Sequence, residues 1–170
     1  MNRRALVVMA LCVNGCGFQP VYRGATGKDP GPAPDLAAIE VKPIYDRPGQ
    51  ILRETLKARL ASDTGVPHRY DLEVQFSIAG EGLGVLNSTQ FTRVRMAGTA
   101  TWTLLTRDSK RTKLTSGSER SLDGIDLYDT QFFAADLDTE RVQRRIAEIL
   151  ADKITLRLAV WFHQHPTAPG

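Results

Sequence analysis

Cys16 is the residue whose neighbours most narrowly prescribe a reaction. Arg3 and Arg4 give a positive start, Ala5 to Val13 form an apolar stretch, and Val13-Asn14-Gly15 sets a small residue directly before the cysteine. That is the pattern of an export signal over residues 1–15, here of the bacterial lipoprotein kind. The thiol of Cys16 is expected to carry a thioether-linked diacylglycerol. After cleavage, its freed amine is expected to carry an N-acyl chain. The apolar stretch is too short to span a bilayer, which needs about 20 residues. Asn14 stands where such sites usually hold a small or apolar residue, so slower processing is expected. With each buried methylene contributing about 0.8 kcal/mol, a three-chain anchor is effectively permanent. No other cofactor is expected.

Arginine is the second residue type with recognisable chemistry. Arg93, Arg95 and Arg120 fall in segments that alternate like strands, and a guanidinium can grip a phosphate through two parallel hydrogen bonds. Opposite one another on paired strands, their side chains would lie about 5 Å apart and form one anion-binding patch. The plainer reading is solvated strand-face charges. Other chemistry finds little support. The three histidines, His68, His163 and His165, have no cysteine ligand to join, so no metal is expected. No Gly-x-Ser-x-Gly elbow occurs. The run Gly80, Gly82, Gly84 lacks the lysine and helix start of a phosphate cradle and reads as a bulge or loop tip. The chain is not expected to be an enzyme.

Composition agrees with an exported, non-catalytic domain. Lys and Arg number 22 against 19 Asp and Glu, and the pI is about 9.0. Removing residues 1–15 takes Arg3 and Arg4 and no acid, leaving a nearly neutral remainder. The pI is therefore no footprint of nucleic-acid binding, which needs basic residues clustered on one element. Both cysteines are spent, Cys12 in the signal and Cys16 on lipid, so the core must hold the fold without a disulfide. The rest of the chain is long enough for one domain.

Residues 16–35 read as a lipidated N-terminus followed by a Pro/Gly-rich tether, in which Pro30, Pro32 and Pro34 favour extended backbone. A single domain is expected over 36–163 and a disordered tail over 164–170, with fraying from His163. Within the domain, Ile39 and Val41 alternate with Glu40 and Lys42 in a first strand over 36–44 that Pro43 limits. Ile51, Leu52, Leu56 and Leu60 recur at helical spacing over 50–64, with Gly65 at the left-handed exit and Pro67 beyond. Residues 70–78 alternate cleanly, Tyr70, Leu72, Val74, Phe76 and Ile78 against Asp71, Glu73, Gln75 and Ser77, before the glycines interrupt. A second long run, 92–104, places Val94, Met96, Ala100, Trp102 and Leu104 on one face and Arg93, Arg95, Thr99, Thr101 and Thr103 on the other. A turn at 108–110 leads to a third antiparallel strand, 113–122, expected near a sheet edge. Residues 132–162 form a long helix with acids early and bases late, as the helix dipole favours. One apolar face per element leaves one economical solution: an α+β two-layer sandwich, two helices on one face of a four-stranded, mostly antiparallel sheet. The opposite face stays polar and carries Arg93 and Arg95.

Several stretches resemble the LPS-assembly outer-membrane lipoprotein family LptE, in its alphaproteobacterial form. They are Cys16-Gly17-Phe18-Gln19-Pro20-Val21-Tyr22, Thr92-Arg93-Val94-Arg95, Ser116-Gly117-Ser118-Glu119-Arg120-Ser121 and the long helix over 139–159. The resemblance implies a lipoprotein that plugs the LptD outer-membrane β-barrel, helps assemble it and assists lipopolysaccharide transport to the cell surface. It makes Arg93, Arg95 and Arg120 candidates for contact with lipopolysaccharide phosphates, or for pairing with acids on the barrel wall. Gly17 after Cys16, rather than an Asp retention signal, points to the outer membrane with a periplasm-facing anchor. The alternative is an auxiliary lipoprotein of an ABC-type lipid-transport system, which shares the anchor and the small α+β domain.

Overall fold

In the computed structural model, residues 33–85, 91–126 and 132–166 are described. The chain runs α1 (Ala33–Ala37), β1 (Ile39–Val41), α2 (Arg47–Leu60), β2 (Tyr70–Val85), β3 (Phe91–Thr106), β4 (Lys113–Asp126) and α3 (Phe132–Gln164). The four strands form one sheet in the order β1-β2-β3-β4; β1 pairs parallel with β2, and the other pairs are antiparallel. Helices α2 and α3 pack against each other, with α3 lying over β3 and β4 and α2 beside β1. This is the expected α+β sandwich, and β4 is an edge strand as expected.

The elements follow from their apolar spacing. Along β2, Tyr70, Leu72 and Val74 are buried and Glu73 and Gln75 are exposed; along β3, Met96, Ala100, Trp102 and Leu104 are buried. Those faces meet the helices. In α2, Leu52, Leu56 and Leu60 form one fully buried row. In α3, Ile146, Leu150, Ile154 and Leu158 recur every four residues with Ala147, Ala151 and Ala159 beside them, all fully buried. That doubled stripe lets α3 face the sheet and α2 at once. Fully burying one Leu or Ile contributes about 1.5–3 kcal/mol, so these two rows dominate the core.

Gly98 lets α3 come close. A β-carbon there would lie 2.2 Å from Ile146 Cγ2, so the helix rests on bare backbone. Gly117 on β4 does the same for the ring of Trp102, which approaches the missing β-carbon position to 2.7 Å.

Several boundaries differ from the sequence reading. The first strand is only Ile39–Val41, because residues 33–37 coil into α1 and bury Leu36. Helix α2 begins earlier, with Pro48 in its first turn where a missing N–H costs nothing. It ends at Ala61, which takes the left-handed conformation (φ 55°) expected of Gly65. The exit is a Schellman motif: Ser62 N–H donates to Lys57 O at 3.1 Å and Ala61 N–H to Ala58 O at 3.4 Å. Gly65 also has positive φ (81°), but in the following loop. Gly80, Gly82 and Gly84 do not interrupt β2, which stays paired with β3 out to Val85. At the other end α3 runs through His163 to Gln164, and His165 stacks on Trp161 with ring centroids 4.7 Å apart.

Candidate functional site

With both large helices on one side, the sheet's other face is left without a helical cover, and residues of β2, β3 and β4 form rows across it. The register gives Glu73–Thr103–Ser116, Gln75–Thr101–Ser118, Ser77–Thr99–Arg120, Ala79–Ala97–Leu122 and Glu81–Arg95–Gly124. Three rows rich in hydroxyls therefore give way to a short apolar row in which Leu122 is 51% exposed. Beyond it lies the row of Arg95. On this face Thr101 and Ser118 meet at 3.5 Å.

The register also separates the arginines. Arg120 stands opposite Thr99, and Arg95 opposite Gly124. Arg95 and Arg120 are thus four residues apart along the strands, about 13 Å at 3.3 Å per residue, and not the cross-strand neighbours about 5 Å apart that the sequence suggested. The reason is the long β3–β4 pairing after the bulge at Leu104/Leu105, whose phase no alternation pattern reveals. Arg93 occupies the β3 position opposite Leu83 and Asp126; its side chain lies outside the described residues. Arg95 and Arg120 are exposed. Arg120 has its carbonyl held by Lys153 Nζ at 2.6 Å, which ties its strand to α3 from the opposite face. Cys16 also lies outside the described residues.

The other end of the same face carries an ion network that sequence reading missed. Asp71, on the strand face read as wet, has a side chain only 2% exposed among Lys42 (3.1 Å), Arg111 (3.3 Å) and Arg107 (4.0 Å). Its contact with Lys42 is electrostatic rather than an aligned hydrogen bond. Arg111 also reaches Glu73 at 2.6 Å, and Arg107 pairs with Glu40. Three acids and three bases here are mutually neutralised. Only the alternation placing Asp71 on one face with Glu73 hinted at it; its neighbours Glu40 and Lys42 and the arginines of the β3–β4 turn come through tertiary structure alone.

In that turn Thr106 Oγ1 donates to Asp108 at 2.7 Å, and the N–H groups of Arg111 and Lys110 donate to the same carboxylate. These bonds, Thr106 first, hold the Asp108 pKa below 3.8. They also hold Arg111 at positive φ (46°). Among the described residues no group of three or more His, Cys, Asp or Glu is placed to hold a metal ion, and no helix is long and apolar enough to cross a membrane.

The family described as LptE, Lipopolysaccharide-assembly, matches residues 36–158. Among solved structures, a lipoprotein from Caulobacter crescentus CB15 is similar with 27% identity and a TM-score of 0.63, covering 76% of this chain and 94% of that one. Rare lipoprotein B from Shewanella oneidensis (11% identity, TM-score 0.58, covering 76% and 98%) and a minor lipoprotein from Acinetobacter baumannii (17%, 0.55, covering 72% and 90%) share the fold. No curated protein matches the chain.

Proposed function

The chain belongs to the LptE family of lipopolysaccharide-assembly lipoproteins, and from that premise we propose that it is anchored through Cys16 in the periplasmic leaflet of the outer membrane, plugs an LptD-like β-barrel and assists lipopolysaccharide transport to the cell surface. The observation carrying this reading is the uncovered sheet face. Its hydroxyl-bearing rows and its exposed Leu122 row together offer a broad surface that a barrel wall could cover. The face is also chemically graded. Arg95 and Arg120 flank the apolar Ala79–Ala97–Leu122 row, an order that suits a phosphorylated, acylated ligand, with guanidinium groups for phosphates and the row between for hydrocarbon. The role is one of binding and positioning, with no catalytic step. Similarity to lipoproteins of other bacteria supports the lipid anchor.

Affinity purification of the tagged lipoprotein from solubilised outer membranes tests the partner. One-to-one recovery of an LptD-like barrel is expected; recovery of ABC-transporter components without a barrel would replace this reading with the auxiliary-lipoprotein one. The ligand is tested by charge reversal. Arg93→Glu/Arg95→Glu should weaken lipopolysaccharide binding at least tenfold with the circular dichroism spectrum unchanged, and undiminished binding by the folded variant removes the arginines from the site.

A further inference from the structure

One edge of the sheet is open along most of its length. β1 pairs with β2 only over Tyr70–Leu72, and beyond Leu72 no described strand lies on that side. Tyr70 N–H donates to Ala38 O at 3.2 Å, and Leu72 O accepts from Lys42 N–H at 3.0 Å. Backbone groups alternate in direction along a strand, so Val74, Phe76, Ile78, Gly80, Gly82 and Gly84 also turn their N–H and C=O groups outward. Val74, Phe76, Ile78 and Gly80 make no backbone bond on that side among the described residues.

Sheet edges are normally blunted by Lys, Pro, a bulge or a cover, because a free edge invites pairing with another strand. The outer edge of β4 has its cover in α3: Lys153 Nζ holds Arg120 O at 2.6 Å, and Arg145 and Arg157 pair with Asp123 and Glu119 along the same strand. The β2 edge has none of these devices. Residues 73–85 contain no Lys, Arg or Pro, and their register with β3 runs without a shift.

We infer that residues 17–23, which lie outside the described residues, add to this edge as an antiparallel fifth strand, with Tyr22 opposite Ala79 and Phe18 opposite Leu83. Pro20 has no N–H and is tolerated in a strand only with its nitrogen turned away from the sheet. That phase turns the backbone groups of Gln19, Val21 and Arg23 towards β2 and sets Phe18, Pro20 and Tyr22 on the uncovered face. The odd-numbered residues of β2 on that face are Gln75, Ser77, Ala79, Glu81 and Leu83, whose two apolar members are four apart, as are Phe18 and Tyr22. Apolar matching of this kind sets strand register. The length also fits. Arg23 then stands opposite Ile78, about 26 Å along β2 from Tyr70, which bonds the Ala38 carbonyl just after α1; the nine residues 24–32 reach at most about 30 Å. A parallel course would carry residue 23 towards the far end of β2, with farther to return. Being part of the same chain, the segment docks at millimolar effective concentration. It would widen the apolar row to Tyr22–Ala79–Ala97–Leu122 on the face proposed above to meet the barrel and its ligand.

Amide hydrogen exchange of the purified full-length mature chain in detergent, followed by NMR at Ile78 and Gly80, tests this. Expected is exchange at least tenfold slower in the parent chain than in Gln19→Pro/Val21→Pro, which removes two of the facing N–H groups without altering the domain. The amides of Ala100 and Trp102, inside the sheet, should exchange equally slowly in both and report an intact fold. Fast exchange at Ile78 and Gly80 in the parent chain, or slow exchange that survives the two prolines, overturns the proposal. Protection that falls on dilution also overturns it and assigns the edge to a second copy of the chain. No barrel is present in this measurement, so its failure is separate from failure of the partner assignment, which the affinity purification decides.

Discussion

Replacing Gly98 by alanine should drive α3 away from the sheet. The new methyl would meet Ile146 Cγ2 at 2.2 Å, Leu150 Cδ1 at 3.3 Å and Phe76 Cε2 at 3.4 Å. Ordinary carbon contacts lie at about 3.5–4.0 Å, so the Ile146 contact alone demands a shift of about 1.5 Å. Ile146 and Leu150 are fully buried, and neither can swing into solvent. Overpacking of this kind costs about 1–3 kcal/mol, and near 2 kcal/mol the melting temperature falls by about 8 °C. The cause can be isolated because the clash is with one named atom. Ile146→Ala alone leaves a cavity costing about 3 kcal/mol, and the methyl of Gly98→Ala partly fills it. Urea unfolding should thus show the double variant about 2 kcal/mol more stable than the sum of the single effects predicts. Ile146→Val keeps Cγ2 and should give no such relief. Additive costs for Gly98→Ala with Ile146→Ala, or equal relief from Ile146→Val, would refute the account of a helix resting on bare backbone at this point.

Other expectations follow from named contacts. Ala61→Gly removes a left-handed alanine at the end of α2 and should raise stability by about 1 kcal/mol, read as a higher urea midpoint with unchanged slope. Asp71→Asn leaves Lys42, Arg107 and Arg111 with only Glu40 and Glu73 to balance them; because those cations are partly solvated, a loss of about 2 kcal/mol is expected, and high salt should lessen it. Asp108 has a lowered folded pKa, so its stabilisation of the turn is complete above pH 3.8 and fades as pH falls through the lower folded value. Asp108→Asn should flatten this part of the acid-stability curve, and a carboxyl NMR titration with its midpoint at or above 3.8 would contradict the hydrogen-bond geometry. Gly117→Ala should displace the Trp102 ring and shift its fluorescence, because the indole occupies the space a β-carbon would take.

What could be read without coordinates was whatever depends on local spacing. The alternation in 70–78 and 92–104 and the four-residue spacing of Leu52, Leu56 and Leu60 specify element type and buried face, because each is a periodic property of a short segment. One apolar face per element then leaves few ways to assemble the layers, which is why the sandwich with one uncovered sheet face was legible. Element ends were less so: Ala61 adopts a glycine-like φ because the Schellman hydrogen bonds and the buried Leu60 outweigh about 1–2 kcal/mol of strain. The site divides along the same line. That Arg95 points away from the core was legible in alternation, whereas the face of Arg120, on a strand of weak alternation, came from the register. Their separation was not legible, since it depends on a strand register set by a bulge and a turn between segments of different sequence. Asp71 shows the limit most clearly. Its neighbours in sequence predict a solvated carboxylate, and only the folding together of β1, β2 and the β3–β4 turn surrounds it with Lys42, Arg107 and Arg111, because Coulomb attraction acts between groups that the chain brings close and takes no account of their distance in sequence.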